Sequence, residues 1–202
     1  GVSWRDIQAL YAGSMFAGSG FGNNIMQELG PSGIPVVNIE AACSSGPSAL
    51  GDAYQAVAAG FCDIALVVAV EKQDRGMIPL TNFPLWMRQT GLVHGPGFYA
   101  QEALVHMRRY GTTAAQFAKV SVKSHRNAAL CTYAHYQQFG QLTEEEVLGS
   151  RMICDPLTLY MMAPVVDGAA ALVICAKAVS RRFRSRGLVS VAACSLGSAH
   201  YD

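Results

Sequence analysis

The sequence predicts a layered α/β fold with an inserted helical domain. Three observations carry that prediction. Strand-like and helix-like segments alternate over the first seventy or so residues. The run CDIALVVAVEK (62–72) is continuously apolar, as in a strand buried on both faces of a sheet. A second such run, Gly168–Ala176, returns only after the helical and irregular residues 73–163.

Taken in order, IQALYAGSM (7–15) suits a strand that leaves through the Gly-rich turn AGSGFG (17–22). The short helix NNIMQELG (23–30) ends at Gly30, a good C-cap because glycine takes left-handed backbone without a Cβ clash. After PSGIP (31–35) come the strand VVNIEAA (36–42), a helix across 46–60 and the strand 62–72. Residues 73–100 are rich in Pro, Gly and aromatics and show neither period. A long helix is predicted over YAQEALVHMRRYG (99–111), closed by Gly111. The next, TTAAQFAKVSVKSHRNAAL (112–130), opens on an N-cap threonine and places Phe117, Val120 and Ser124 on one face. LTEEEVLGSR (142–151) begins as a capping box, Thr143 with Glu146. Asp167-Gly168 makes a tight turn into a buried strand over 169–175. A helix ending at Gly187 follows, and LVSVAACSLGS (188–198) starts one more strand that stops abruptly. A domain cut there would leave that strand without a partner, so the sequence is expected to be a fragment; its opening GVSWRDI is mid-domain in character.

Composition narrows the function class. Of 202 residues 51% are hydrophobic and 14% charged, a balance that favours a large buried core over disorder. A net charge of +1 gives no electrostatic reason to expect a nucleic-acid partner. The longest apolar runs, Ile64–Val70 and Gly168–Ala176, are strand-sized, too short for a membrane span. The six cysteines show no CxxC pair and no metal-like spacing with the five histidines. The expectation is a soluble, cytoplasmic protein in a reducing compartment, with neither disulfide nor metal.

The chemistry concentrates in NIEAACSSGPSAL (38–50). Cys43 stands where a buried strand meets the start of a helix. Only a thiolate is nucleophilic, and the unpaired N–H groups and positive dipole end of a helix favour one by roughly 0.3–1 kcal/mol. The same N–H groups can hold an oxyanion when sulfur attacks a carbonyl. The small residues Ala41, Ala42, Ser44, Ser45 and Gly46 leave room for a substrate, the logic of a nucleophile elbow. A core thiol that happens to end a strand fits the same position.

NIEAACSSGPSAL, followed by AVAAGFCDIALVVAVEK, resembles the thiolase superfamily, and the wording is that of its sterol-carrier-protein-type branch. MRRYGTTAAQFAKVSVKSHRNA (107–128), SRMICDPLTLYMMAPVVDGAAALVI (150–174) and AGSM (12–15) extend the resemblance over essentially the whole chain. It implies a thiolase-like layered α/β/α first half. Residues 1–72 and 164–186 would be that half, without its first strand and helix. Residues 73–163 would be the loop domain covering the active site, and 187–202 the start of a truncated second half.

The resemblance also implies the reaction, a CoA-dependent cleavage or formation of a 3-ketoacyl-CoA in lipid metabolism. Cys43 would carry the acyl group. Ser44, Ser45 and Gly46 would shape the substrate pocket at the helix N-terminus, with Pro47 tolerated in the first turn. Coenzyme A would be a substrate, with no tightly bound cofactor. The partners implied are a second copy, in a homodimer or homotetramer, and a small OB-fold subunit. The family's GHP histidine, NEAF-like element and CxG cysteine have no match here, and His94 in HGPG is given no catalytic role. The 202-residue chain alone is therefore expected to be inactive. Two other functions stay open: a retro-aldol lyase on CoA esters, which usually lacks the cysteine, and a non-catalytic thiolase-like subunit.

The remaining candidates have simpler readings. Glu71-Lys72 ends a strand where charge can reach solvent or cap a neighbour. Arg108, Arg109, Lys119, Lys123 and Arg126 fit a solvated helix face, although CoA phosphates would suit them. The basic cluster 181–186 lies where a helix C-terminus favours cations. Met152, Met161, Met162, Tyr160, Phe83, Trp86 and Phe98 fit core packing, a few of them an acyl tunnel.

Overall fold

The structure, a computed structural model, describes residues 1–73, 76, 83–91, 94–183 and 188–198. In chain order its regular elements are β1 (Ala9–Gly13), α1 (Phe21–Leu29), β2 (Val36–Ile39), α2 (Ser45–Ala58) and β3 (Ile64–Glu71). Then come α3 (Leu85–Gln89), α4 (Gly95–Tyr110), α5 (Ala114–Ala129), α6 (Glu144–Gly149), β4 (Met152–Cys154) and β5 (Leu157–Thr158). The last are β6 (Gly168–Cys175) and α7 (Lys177–Ser180). The chain divides into two compact units, residues 1–73 with 167–202, and residues 74–166.

The first unit is built on a sheet of order β2-β1-β3-β6. β1 runs parallel to β2 and to β3, so each crossover needs a helix, and α1 and α2 supply them. β6 returns antiparallel to β3 with Val67 opposite Leu172. The core is small-residue packing: Ala49 and Ala53 of α2 against Ala9, Ala65 and Val67 of the sheet. Short side chains bring α2 close to the strands. A Cβ on Gly46 would stand 2.9 Å from the Cβ of Ala69, and one on Gly13 only 2.7 Å from the carbonyl carbon of Ser45. Helix α2 is thus held at its first turn by β1 and β3 together.

Three expectations change in this unit. β6 is not a buried strand: it is the sheet's edge, and residues 168–173 are exposed. Residues 188–198 form no strand; they pass over α2, with Leu196 and Cys194 at Gly51. α7 ends at Ser180, and the expected end at Gly187 lies outside the described residues, as does part of the basic cluster 181–186.

The second unit is helical. Thr113 and Thr143 cap α5 and α6 through complete capping boxes, with Gln116 and Glu146 as reciprocal partners. Gly111 closes α4 in the left-handed region, at φ 69°. α4 begins before residue 99 because His94 caps it: its Nδ1 accepts the Gly97 N–H at 3.0 Å, and Pro96 fits the first turn. The inward face of α5 is Ala118 and His125, with Ser121 and Val122 half-buried; Val120 and Ser124 are exposed. Period 3.6 is satisfied by either stripe, and the alanine stripe allows the closer approach. The β4–β5 hairpin had no period to announce it. Thr158 of β5 is buried there and donates to the Val147 carbonyl at 2.7 Å.

Candidate functional site

The strand β2 stops at Ile39, and five residues, Glu40 to Ser44, turn the chain into α2. Ala42 has φ 48°, the single left-handed non-glycine residue among those described. Such a backbone is held only where its surroundings over-determine it, and here they do. The Glu40 carboxylate accepts the Ala42 N–H at 2.7 Å. The Ser44 and Ser45 N–H groups donate to the Ala41 and Ala42 carbonyls at 3.0 and 3.1 Å. The Ser44 and Ser45 hydroxyls donate to the same two carbonyls, each at 2.7 Å, and Ser45 Oγ accepts from the Ala41 N–H at 2.9 Å. Cys43 stands exposed at the apex of this turn, immediately before the N-cap, Ser44.

The predicted site residues divide by what they do in this turn. Cys43, Ser45 and Gly46 line an open cleft of about 490 Å³, whereas Ser44 does not. The N–H groups of Ser44 and Ser45 are spent on the turn, and Pro47 has none. The Gly46 N–H is a first-turn donor with no hydrogen bond among the described residues. Gly46 therefore does two things: it admits Ala69 of β3, and it leaves a donor at the cleft.

The opposite wall is the segment after β1, and sequence reasoning gave it no role. Glu71, the end of β3, accepts hydrogen bonds from the Ser14 hydroxyl at 3.1 Å and from the Met15 and Phe16 N–H groups at 2.8 and 3.0 Å. Ser14 Oγ also accepts the Ala17 N–H at 3.0 Å. The carboxylate fixes Ser14 and Met15 where they line the cleft. A charged residue at the end of an apolar strand was the available signal. Across β6, Asp167 accepts the Gln73 N–H at 3.3 Å, a structural contact.

The unit that carries Cys43 holds no histidine among its described residues, so the cleft supplies a nucleophile and donors but no imidazole base. No group of three or more metal-ligating side chains occurs among the described residues. In the helical unit, Arg108, Lys123 and Arg126 are exposed, Lys119 faces Glu144 at 4.0 Å, and Arg109 lies over the Tyr110 ring. Phe83 and Phe98 pack together at 5.5 Å, but Met152 and Trp86 are exposed and pack in no core. No helix of the described residues is long and apolar enough to cross a membrane.

Comparison with known proteins assigns the fold a family. Residues 1–83 match the thiolase N-terminal domain. Over 193 residues the chain is 36% identical to an acetyl-CoA acetyltransferase of Methanothermobacter thermautotrophicus, covering 91% of this chain and 50% of that protein. Over 199 residues it is 33% identical to the benzoylsuccinyl-CoA thiolase subunit BbsB of Thauera aromatica, covering 96% and 51%. Sterol carrier protein 2 of Bos taurus matches at 29% over 191 residues, covering 88% and 35%. The Ltp2-ChsH2(DUF35) aldolase superposes with a TM-score of 0.73 at 22% identity, over 87% of this chain and 46% of that one. At that identity it shows the shared fold. The chain spans about half the length of the first two relatives.

Proposed function

The chain belongs to the thiolase family through its N-terminal domain, and from that footing we propose that it is the nucleophile-bearing half of a CoA-dependent acyltransferase. Cys43 is the acyl acceptor. The observation that carries this reading is the exposed thiol at the apex of a braced left-handed turn, beside the free Gly46 N–H at the cleft.

The step is a thiolysis. The Cys43 sulfur attacks the 3-keto carbon of a 3-ketoacyl-CoA, and the bond between C2 and C3 breaks. Its electron pair goes to C2, which takes a proton and leaves as acetyl-CoA. The acyl group, now a thioester on Cys43, passes to the thiol of a second CoA, and the cysteine recovers its proton. The Gly46 N–H and the positive end of α2 favour the negative charge that develops at sulfur or oxygen. The cleft can open this closely over α2 because Gly13 and Gly46 carry no side chain. CoA is a substrate here and no tightly held cofactor is invoked. The names of the relatives, an acetyl-CoA acetyltransferase and a benzoylsuccinyl-CoA thiolase subunit, support the CoA ester and an assembly with further chains. A second copy of the chain and a small OB-fold subunit are the partners this reading assigns.

The test uses the whole protein that contains this chain. Thiolysis of acetoacetyl-CoA is expected to fall by more than about a hundredfold in Cys43→Ala, with the fold retained. The 202-residue chain by itself is expected to show none, since the unit that carries Cys43 offers no imidazole base among its described residues. Full thiolysis in Cys43→Ala would overturn Cys43 as acyl acceptor; no thiolysis by the parent, with cleavage of a 3-hydroxyacyl-CoA that survives in Cys43→Ala, would transfer the reading to a retro-aldol lyase.

A further inference from the structure

The turn that carries Cys43 is anchored at both ends and strained in the middle. Upstream, β2 is held by β1, with Ile39 opposite Gly13. Downstream, the first turn of α2 sits close on β1 and β3, where Gly13 and Gly46 carry no Cβ. Residues 40–44 are therefore the ones that can change shape while both elements stay in place. Among them Ala42 takes φ 48°, where the Cβ of an L-residue crowds the carbonyl that follows it. Such a residue relaxes into ordinary backbone unless its surroundings hold it.

Glu40 holds it from outside the cleft. Its carboxylate accepts the Ala42 N–H at 2.7 Å, and a charged acceptor makes a hydrogen bond roughly twice as strong as a neutral one. Ala42, Cys43 and Gly46 line the cleft, whereas Glu40 does not. The carboxylate thus acts on the site through the backbone that it fixes. The Ser44 and Ser45 hydroxyls close the turn from the helix side, on the carbonyls of Ala41 and Ala42. They leave the Ala42 N–H to Glu40. A change of φ at Ala42 re-aims Cys43, the next residue, relative to the Gly46 N–H, and moves neither β2 nor α2.

We propose that Glu40 is a positioning residue for acyl transfer, its carboxylate keeping Ala42 left-handed and so keeping the Cys43 sulfur where a carbonyl under attack meets the Gly46 N–H. The inference rests on the reading of Cys43 as acyl acceptor.

Thiolysis of acetoacetyl-CoA by the whole protein is compared in the parent, in Glu40→Ala, and in Glu40→Ala combined with Ala42→Gly. In Glu40→Ala kcat is expected to fall about three- to tenfold, one hydrogen bond's worth of molecules with the turn out of place. Iodoacetamide labelling of Cys43 is expected to stay within about twofold of the parent, because alkylation needs an exposed sulfur and no carbonyl at Gly46. Adding Ala42→Gly is expected to restore most of the lost rate, since glycine adopts a φ of 48° without a brace. A glutamate that merely supports the fold would not be replaced by a glycine two residues on. Should Glu40→Ala fail to fold, Glu40→Gln takes its place, with a loss of about two- to threefold that Ala42→Gly likewise removes. Thiolysis at the parent rate in the Glu40 variant, or a loss that Ala42→Gly leaves in place, would overturn the positioning role and leave Cys43 as acyl acceptor standing. A parent without thiolysis would overturn the acyl-transfer reading, and the role of Glu40 with it.

Discussion

The carboxylate of Glu71 receives the backbone N–H of Met15 at 2.8 Å, and so ties the end of β3 to the wall of the cleft that holds Cys43. Ser14 and Phe16 complete the attachment, giving one side chain three donors. Glu71→Ala strands those donors at a half-buried site, and is expected to lower stability by about 1–3 kcal/mol. Glu71→Gln keeps an acceptor oxygen and is expected to cost less. Urea denaturation of the two variants measures both; equal costs, or none, would show that the segment is held by something else.

Gly13 is where β1 passes beneath α2. A methyl group there would stand 2.7 Å from the Ser45 carbonyl carbon and 3.0 Å from the Gly46 nitrogen, both backbone atoms that cannot swing aside. Gly13→Ala is expected to cost about 1–3 kcal/mol and to push the first turn of α2 off the sheet. Cys43 precedes that turn, so the variant should also slow acyl transfer in the whole protein. A melting temperature unchanged from the parent would contradict the close approach.

Cys62 offers a contrast in thiol chemistry. Burial pushes its pKa up, and neighbouring Asp63 adds to the rise. The neutral thiol is thus the form the fold favours. Its contribution to stability is full below the ordinary thiol pKa and is lost as pH climbs through the raised folded value. At pH 8, iodoacetamide is expected to label Cys62 about threefold or more slowly than exposed Cys43, with the gap narrowing as pH rises past that range. Peptide mapping of the two alkylated cysteines reads the ratio; parity at pH 8 would refute the assignment.

Much of this was legible in the sequence, for reasons that differ by element. The strands 7–15, 36–42 and 62–72 announced β1, β2 and β3 because apolar runs bounded by Gly and Pro leave little else to form. Thr113, Thr143 and Gly111 marked helix ends because capping is local chemistry. The turn at Cys43 showed in its small residues, but not the left-handed Ala42 or the brace from Glu40, since neither follows from residue type. Glu71 was read as a strand end; its donors lie 55 to 57 residues earlier in the chain, beyond any local pattern. The β4–β5 hairpin is too short to show a period. Residues 188–198 have a strand's composition but form none, and pack over α2 with Leu196 at Gly51. Composition proposes a strand and a ladder makes one.

The central claim is that Cys43 carries the acyl group. The whole protein, incubated with acetyl-CoA and digested, is examined by mass spectrometry for the peptide containing Cys43, with Cys43→Ala as control. An added acetyl mass of about 42 Da on that peptide, absent in the variant and removed by free CoA, is the predicted result. An unmodified Cys43 in a protein that still turns over its CoA ester would contradict the account.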